Sequence, residues 1–182
     1  MSPLTWTDRA GMRTIAAEGL TLEPQTREHA AEMFEVLSDL AIYTYENAPP
    51  ASLDWLRTRF EKLETRRSGD GREQWLNWVI RLPSSVLIGY VQATVRGDGS
   101  AGIAYELASP HWGKGLGRRA VSAMMGELAA HYHVALFTAV AKRENFRSTR
   151  LLEGLGFTPG ADELRARLQV EADEVLMCRS AA

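Results

Sequence analysis

The first part of the chain carries one strand-like segment and two segments with the period of amphipathic helices. Leu20 to Pro24 has the composition of a short strand, and Thr26 follows it as a residue that can cap a helix. The apolar positions of that helix recur at helical spacing and are Ala30, Met33, Phe34 and Leu37. Ser52 begins the second helix, whose apolar positions include Leu53, Leu56, Phe60 and Leu63. A loop over residues 42–52 joins the two helices.

Three strands are predicted in succession after the second helix. Residues 74–81 and 86–95 are rich in Val, Ile, Trp and Tyr, and a Pro-Ser-Ser sequence at 83–85 separates them. This arrangement predicts an antiparallel pair. Asp98-Gly99 is a turn signal that leads into a third strand over residues 101–108.

Helix and strand signals continue to alternate after the third strand. Residues 116–130 have the period of an amphipathic helix, and residues 133–140 form an apolar run typical of a central strand. Asn145 begins a short helix that ends at Gly156, because glycine readily adopts the left-handed conformation that closes a helix.

The last segment of the chain is predicted to form a hairpin. Apolar and polar residues alternate over 164–170, which predicts a half-buried strand, and residues 175–179 are its predicted partner. The order of elements predicts a single α/β domain over residues 18–182. Residues 1–17 hold several charges without an apolar core, so we expect them to form a loose leader.

Composition narrows the class of protein and the partners it can have. The chain has 182 residues, of which 45% are hydrophobic and 24% charged, as in ordinary globular domains. A formal net charge of −2 provides no overall basic field for nucleic acid or membranes, and we expect neither as a partner. The lone Cys178 favours a buried thiol in a reducing compartment. We therefore expect a cytoplasmic monomer or homodimer.

The strongest chemical signal is the glycine-rich segment Trp112-Gly-Lys-Gly-Leu-Gly-Arg118, which lies between a predicted strand and a predicted helix. Alternating glycines let the backbone approach a ligand closely and direct successive N–H groups at it. The positive end of the helix dipole and the charges of Lys114 and Arg118 add to this effect. The segment therefore predicts a phosphate or pyrophosphate site, the alternative being a tight turn without a ligand.

Two nucleotide-binding motifs are alternative interpretations of this segment. Gly115-x-Gly117-x-x-Ala120 satisfies the dinucleotide fingerprint, but that motif needs a following strand that ends in Asp or Glu. The next predicted strand ends in Ala139-Val140-Ala141 instead. A P-loop is disfavoured as well, because the chain has no Gly-Lys-Ser or Gly-Lys-Thr sequence.

Two segments in this half of the chain resemble the motifs of a known superfamily. Residues 103–118, from Ile-Ala-Tyr-Glu-Leu to the end of the glycine-rich segment, resemble the acetyl-CoA-binding signature of the GNAT N-acetyltransferases. Residues 145–157, which begin Asn-Phe-Arg-Ser and end Gly-Phe, are similar to the second motif of that superfamily. The amino-acid sequences of both motifs are most similar to those of the branch that contains the ribosomal-protein-alanine N-acetyltransferases.

The resemblance implies a fold and a co-substrate. The implied fold is a single GNAT-type α/β domain, with a mixed, mostly antiparallel central sheet, splayed middle strands and helices on both faces. The co-substrate is acetyl-CoA, whose pantetheine arm would lie between the splayed strands. The implied binding residues are Leu107, Ala108, Gly113, Lys114, Gly115, Leu116, Gly117, Arg118, Asn145 and Ser148. The alternative for Asn145 and Ser148 is a purely structural role as helix cap and first-turn residue.

The same resemblance implies direct transfer, in which a neutral amine attacks the thioester. Many relatives supply a tyrosine as general acid at the position of Leu152, which has no proton to give, so Ser148 is the candidate that stabilises the departing thiolate. Glu106 is the candidate base, because its strand lies beside the thioester, although strand alternation equally allows it to face solvent.

The acceptor is the least determined part of the prediction. Tyr43, Tyr45 and Glu46 are expected either to line an acceptor cleft or to cover the core. His131 and His133 lack a third ligand at metal spacing, so no metal is expected. We expect acetylation of a primary amine, namely the N-terminal α-amine of a protein or peptide. The alternatives are a small-molecule acetyltransferase (acting on an aminoglycoside, a polyamine or an amino acid), which an acidic cleft would favour, and a non-catalytic acyl-CoA-binding module.

Overall fold

The protein folds into an eight-stranded sheet with helices on both faces. The structure is a computed structural model and describes residues 11–45 and 47–181. The strands are β1 (Ile15–Ala17), β2 (Leu20–Pro24), β3 (Glu73–Arg81), β4 (Leu87–Arg96), β5 (Ser100–Leu107), β6 (Leu136–Lys142), β7 (Thr158–Pro159) and β8 (Glu174–Ser180). The helices are α1 (Ala30–Val36), α2 (Leu53–Leu63), α3 (Leu116–His131), α4 (Phe146–Gly154) and α5 (Asp162–Arg167). None of these described helices is long and apolar enough to cross a membrane.

The strand order is β1-β2-β3-β4-β5-β6-β8-β7, and every neighbouring pair is antiparallel except β5 and β6. β5 and β6 pair only over Ser100–Gly102 and Leu136–Thr138. Beyond Gly102, β5 continues to Leu107 along β4, while β6 continues to Lys142 along β8. The two middle strands therefore separate and leave a cleft between them, which confirms the predicted fold class.

Strand alternation gives the sheet an apolar layer on each face. Trp78 and Ile80 of β3 pack in the cluster that contains α3, whereas Val79 between them packs against α1 and α2. All three side chains are fully buried, and each such burial stabilises the fold by about 1.5–3 kcal/mol. Where the helices cover the central strands, both faces of the sheet are therefore shielded from solvent.

The predicted N-caps of α2 and α4 are present, whereas the N-cap of α1 is His29 rather than Thr26. The Ser52 hydroxyl accepts the N–H of Trp55 at 3.1 Å, and the Asn145 side chain accepts the N–H of Ser148 at 3.2 Å. Thr26 precedes a short turn, and its N–H donates to Nδ1 of His29 at 3.0 Å. Gly156 follows α4 with φ of 85°, the left-handed conformation predicted for it.

The predicted strand over 164–170 is wrong, because the structure has the helix α5 there and pairs β8 with β6 and β7. Leu164 and Leu168 are four residues apart, so they share one face of a helix as readily as one face of a strand. Asp162 and Glu163 in the first turn and arginines in the last turn complement the helix dipole and favour the helix.

The leader predicted over residues 1–17 extends too far. Residues 1–10 lie outside the described part of the chain, but Ile15–Ala17 form the edge strand β1 against β2. The carbonyl of Arg13 accepts the indole N–H of Trp78 at 2.9 Å, so the segment is attached to the core even before β1. A strand of three residues is too short for the alternation that identifies strands in a sequence.

Candidate active site

The diverging ends of β5 and β6 open into a cleft of about 720 Å³. The glycine-rich segment and α4 border the cleft on the side of α3, and the loop after α1 together with α2 borders it on the other side. Because successive residues of β5 point to opposite faces, Tyr105 faces the first side and Glu106 the second. The gap in the sheet thus connects the part of the cleft beside α3 and α4 with the part beside α1 and α2.

The glycines of the glycine-rich segment have two different structural roles. Gly113 and Gly115 have φ of 71° and 74°, and a Cβ at either position would meet no atom within 4 Å. The left-handed backbone rather than lack of space therefore requires glycine there. Gly117 lies inside α3, where a Cβ would be 3.1 Å from Cδ1 of Leu151. This third glycine allows α3 to pack closely against α4.

Basic side chains lie near the N-terminus of α3. Gly113, Gly115, Leu116, Gly117 and Arg118 line the cleft, whereas Lys114 is exposed beside it. The guanidinium of Arg147 lies 3.4 Å from the ring centroid of Trp112 and adds a cation that the sequence analysis missed. Partial burial, and secondarily the charge of Lys114, lower the pKa of His111. The site has the charge and the free helix end that favour an anionic group.

The backbone of β5 offers a hydrogen-bond donor to the gap. The N–H of Ala108 donates to the carbonyl of Ile88 at 2.9 Å, and antiparallel bonding alternates, so the N–H of Leu107 points away from β4. The carbonyl of Leu107 is likewise free of β4 and accepts the indole N–H of Trp112 at 2.7 Å. Gly89 permits the close approach of the two strands here, because a Cβ would overlap the carbonyl oxygen of Glu106.

A pair of hydroxyl groups lies on the α4 side of the cleft. Oη of Tyr105 is 2.8 Å from Oγ of Ser148, and the Tyr105 hydroxyl also lies 3.2 Å from the Ser148 carbonyl. Burial raises the pKa of Tyr105 to about 12, so its hydroxyl stays protonated at physiological pH. Asn145 caps α4 through the Ser148 N–H, and both residues also line the cleft. Leu152 is 1% exposed and belongs to the core.

Tyr105 is, after Arg147, a second residue at the cleft that the sequence analysis missed. The signal was present in the strand period, because Tyr105 lies two residues before Leu107 and points to the same side of β5. Its partner on α4 is 43 positions further along the chain, and only the fold brings the two together.

Glu106 lies on the other side of β5 and lines the cleft, half-buried. Of the two orientations that the sequence allowed, the structure has the one that faces the cleft. Burial, followed by the carboxylates of Glu106 and Asp39, raises the pKa of Tyr43 to about 12. Tyr43 donates its hydroxyl hydrogen to the carbonyl of Leu37 at 2.7 Å, and Tyr45 also lines the cleft. Glu46 lies outside the described residues.

Asp39 connects the two sides of the cleft. One carboxylate oxygen accepts the N–H of Ser109 at 2.6 Å, and the other accepts the N–H of Ala41 at 3.0 Å. These backbone bonds, that of Ser109 first, lower the pKa of Asp39. The loop after α1 is thereby attached to the loop that leads into the glycine-rich segment.

The two histidines named from the sequence lie away from the cleft. His131 ends α3, and its Nε2 is 3.9 Å from a carboxylate oxygen of Glu127. His133 follows with φ of 55°. Over residues 11–45 and 47–181, no three His, Cys, Asp or Glu side chains are grouped as a metal site would need.

Comparison with known proteins identifies the family. The sequence model of the acetyltransferase (GNAT) domain matches residues 19–158, which is most of the chain. The chain belongs to the GNAT acetyltransferase family. This confirms the predicted GNAT-type acyltransferase. A comparison with curated proteins finds no match to this sequence.

Solved structures with the same fold include GNAT enzymes with different acceptors. A ribosomal L7/L12 α-N-protein acetyltransferase in complex with coenzyme A has a TM-score of 0.77 and 14% identity, covering 92% of this chain and 98% of that one. The ribosomal-protein-S5-alanine acetyltransferase from Vibrio fischeri has a TM-score of 0.73 and 16% identity, covering 93% and 97%. An aminoglycoside acetyltransferase in complex with coenzyme A has a TM-score of 0.71 and 23% identity, covering 88% and 94%.

Proposed function

We propose that this GNAT family member transfers an acetyl group from acetyl-CoA to the N-terminal α-amine of a protein or peptide. The observation that carries the choice of acceptor is the charge of the cleft. Among the described residues that line its side at α1 and α2, Glu106 is the one carboxylate and Arg59 is a cation. Aminoglycosides and polyamines carry several positive charges and need an acidic site, so this cleft disfavours them.

Acetyl-CoA is the co-substrate that the cleft suits best. Its pyrophosphate would bind at Gly113, Lys114, Gly115, Leu116, Gly117 and Arg118, where the N-terminus of α3 and two side-chain cations favour a negative charge. Its pantetheine arm would follow β5 at Leu107 and Ala108 and pass Asn145 and Ser148 on α4. The coenzyme A in two of the similar structures supports this proposal.

The chemistry begins with attack of a neutral amine on the thioester carbonyl. Glu106 accepts the proton that the amine loses and passes it to solvent. The N–H of Leu107 points into the gap and stabilises the oxyanion of the tetrahedral intermediate, where a fixed donor is most effective. Collapse of that intermediate forms the amide and releases the thiolate of coenzyme A.

The departing thiolate is stabilised by Ser148. Oη of Tyr105 lies 2.8 Å from Oγ of Ser148. When Tyr105 directs its hydrogen to that oxygen, the Ser148 hydrogen is left for the sulfur until the thiolate takes a proton from water. Tyr105 is thus a positioning residue. This arrangement provides for the leaving group without a tyrosine at position 152.

A panel of acceptors tests the proposal. Purified protein is incubated with acetyl-CoA and, separately, with a peptide that has a free N-terminus, with spermidine and with kanamycin, and free thiol is measured. We expect thiol release with the peptide and little with either polycation. Preference for a polycation would indicate a small-molecule acetyltransferase, and release with none would indicate a non-catalytic acyl-CoA-binding module.

A further inference from the structure

We propose that three side-chain amides, those of Gln25, Asn77 and Gln92, form an acceptor subsite that binds peptide groups of the substrate. This inference rests on the proposed function and specifies which part of a peptide acceptor the cleft recognises. We call the three residues the amide row. All three line the cleft on the side of α1 and α2.

The register of the sheet places the amide row across three neighbouring segments, namely the end of β2, β3 and β4. The N–H of Gln25, directly after β2, donates to the carbonyl of Asn77 on β3 at 2.9 Å. Asn77 is the partner of Gln92 on β4, and Gln92 is the partner of Ala104 on β5. Partner residues point to the same face of a sheet, so the three amides are side by side. Ala104 lies between the amide row and the gap in the sheet, two residues before Glu106.

The side chain of Gln25 carries a buried donor for which the described residues supply no acceptor. The residue is 3% exposed, and the group concerned is its amide nitrogen Nε2. Its backbone is held on both sides, by the carbonyl of Asn77 and by Nη2 of Arg66, which donates to the Gln25 carbonyl at 2.5 Å. A buried polar group without a partner costs about 1–3 kcal/mol, so its placement in a cleft indicates a ligand that supplies the acceptor.

The dimensions and chemistry of the row match an extended peptide. Strands are about 4.8 Å apart, so the distance from Ala104 on β5 across the amide row to Gln25 is about 14 Å. This is the length of about four extended residues. A side-chain amide both donates and accepts, as a peptide group does, and carries no charge. With the amine beside Glu106, the following peptide groups cross the sheet over Gln92 and Asn77 toward Gln25.

Substitution of Gln25 distinguishes a ligand-binding role from a structural one. We expect Gln25→Leu to raise the KM for a tetrapeptide acceptor about tenfold and to leave the KM for acetyl-CoA unchanged. The melting temperature should stay equal or rise, because the substitution removes a buried group that has no partner. Gln74→Leu is the matched control, since Gln74 also carries a buried atom that has no partner in the described part of the chain but lies on the opposite face of β3. It should leave both KM values unchanged.

A length series of acceptors completes the test. With wild-type protein, kcat/KM should rise as the acceptor grows from one residue to four, and in Gln25→Leu and Gln92→Leu this gain should be lost. Peptides acetylated equally well by wild-type protein and by these variants would overturn the subsite alone. Wild-type protein that acetylates no peptide would overturn the proposed function and the subsite together.

Discussion

At the scale of single residues, the proposed mechanism assigns the leaving group to the hydroxyl pair of Tyr105 and Ser148, because Leu152 has no proton to give. Leu152 is committed to the core, whereas the two hydroxyls lie 2.8 Å apart at the cleft. A leaving-group contact formed mainly in the transition state affects kcat more than substrate binding. Both residues therefore act on the same step in this account.

We predict that Tyr105→Phe and Ser148→Ala each lower kcat about tenfold while the KM for acetyl-CoA changes by less than about twofold. The double variant should be little worse than the more affected single variant, because the two groups act as one unit. Steady-state kinetics of the four proteins measures this cycle. Fully additive effects on kcat would show that the hydroxyls act independently.

Gly115 allows a test of the anion site at the same scale. Its φ of 74° is unfavourable for any other residue by about 1–3 kcal/mol, so Gly115→Val must shift the backbone N–H groups at the start of α3. Calorimetry should show acetyl-CoA binding weakened by at least about tenfold with the fold retained. Gly126→Ala, in the middle of α3 where a Cβ meets no atom within 4 Å, is the control and should bind normally. Unchanged affinity in Gly115→Val would refute the assignment of the site.

At the scale of elements, Asp39 attaches the acceptor side of the cleft to the coenzyme side. Asp39→Ala removes both backbone bonds, so we expect the KM values for acetyl-CoA and for the acceptor to rise together, by about threefold to tenfold. Asp54→Ala is the control, because Asp54 pairs with Arg57 on the exposed surface of α2. A change in only one of the two KM values would show that Asp39 does not connect the two sides.

The contribution of Asp39 also has a defined pH dependence. Its pKa is lower in the folded protein than in the unfolded chain, so the carboxylate stabilises the fold above its ordinary pKa of about 3.9. That stabilisation decreases as the pH falls toward the lowered pKa. The melting temperatures of wild-type protein and of Asp39→Ala should therefore differ at pH 7 and converge as the pH falls through the lowered pKa of Asp39.

Elements with a strong and unambiguous period were predictable from the sequence, and elements without one were not. α3 and the strands β3 to β5 follow clear periods, and Ser52 and Asn145 marked helix starts correctly. The alternation over 164–170 indicates a strand, although Leu164 and Leu168 also share one face of a helix, and β1 is too short to show any period. The separation of β5 from β6 and the pairing of Tyr105 with Ser148 depend on contacts between distant parts of the chain, which local pattern does not contain.

At the scale of the whole molecule, the cleft combines a basic side, where we propose that the coenzyme binds, with the proposed acceptor side, which has one described carboxylate. A site with so little acidic character suits an amine that is already neutral. An α-amine, with a pKa of about 7.7–8.0, is neutral in roughly one molecule in ten at pH 7, whereas a lysine amine, with a pKa of about 10.4, is neutral in roughly one in a few thousand. The difference corresponds to about 3 kcal/mol before catalysis begins.

The central claim is acetyl transfer from acetyl-CoA to an N-terminal α-amine, and a pair of matched peptides tests it directly. One peptide has a free N-terminus and a blocked lysine, the other has a blocked N-terminus and a free lysine, and mass spectrometry follows their acetylation from pH 6 to pH 9. We predict that the first peptide is preferred at pH 7 by about a hundredfold or more in kcat/KM, and that its rate levels off above the pKa of its amine. Equal rates or a preference for the lysine peptide at pH 7 would contradict the claim.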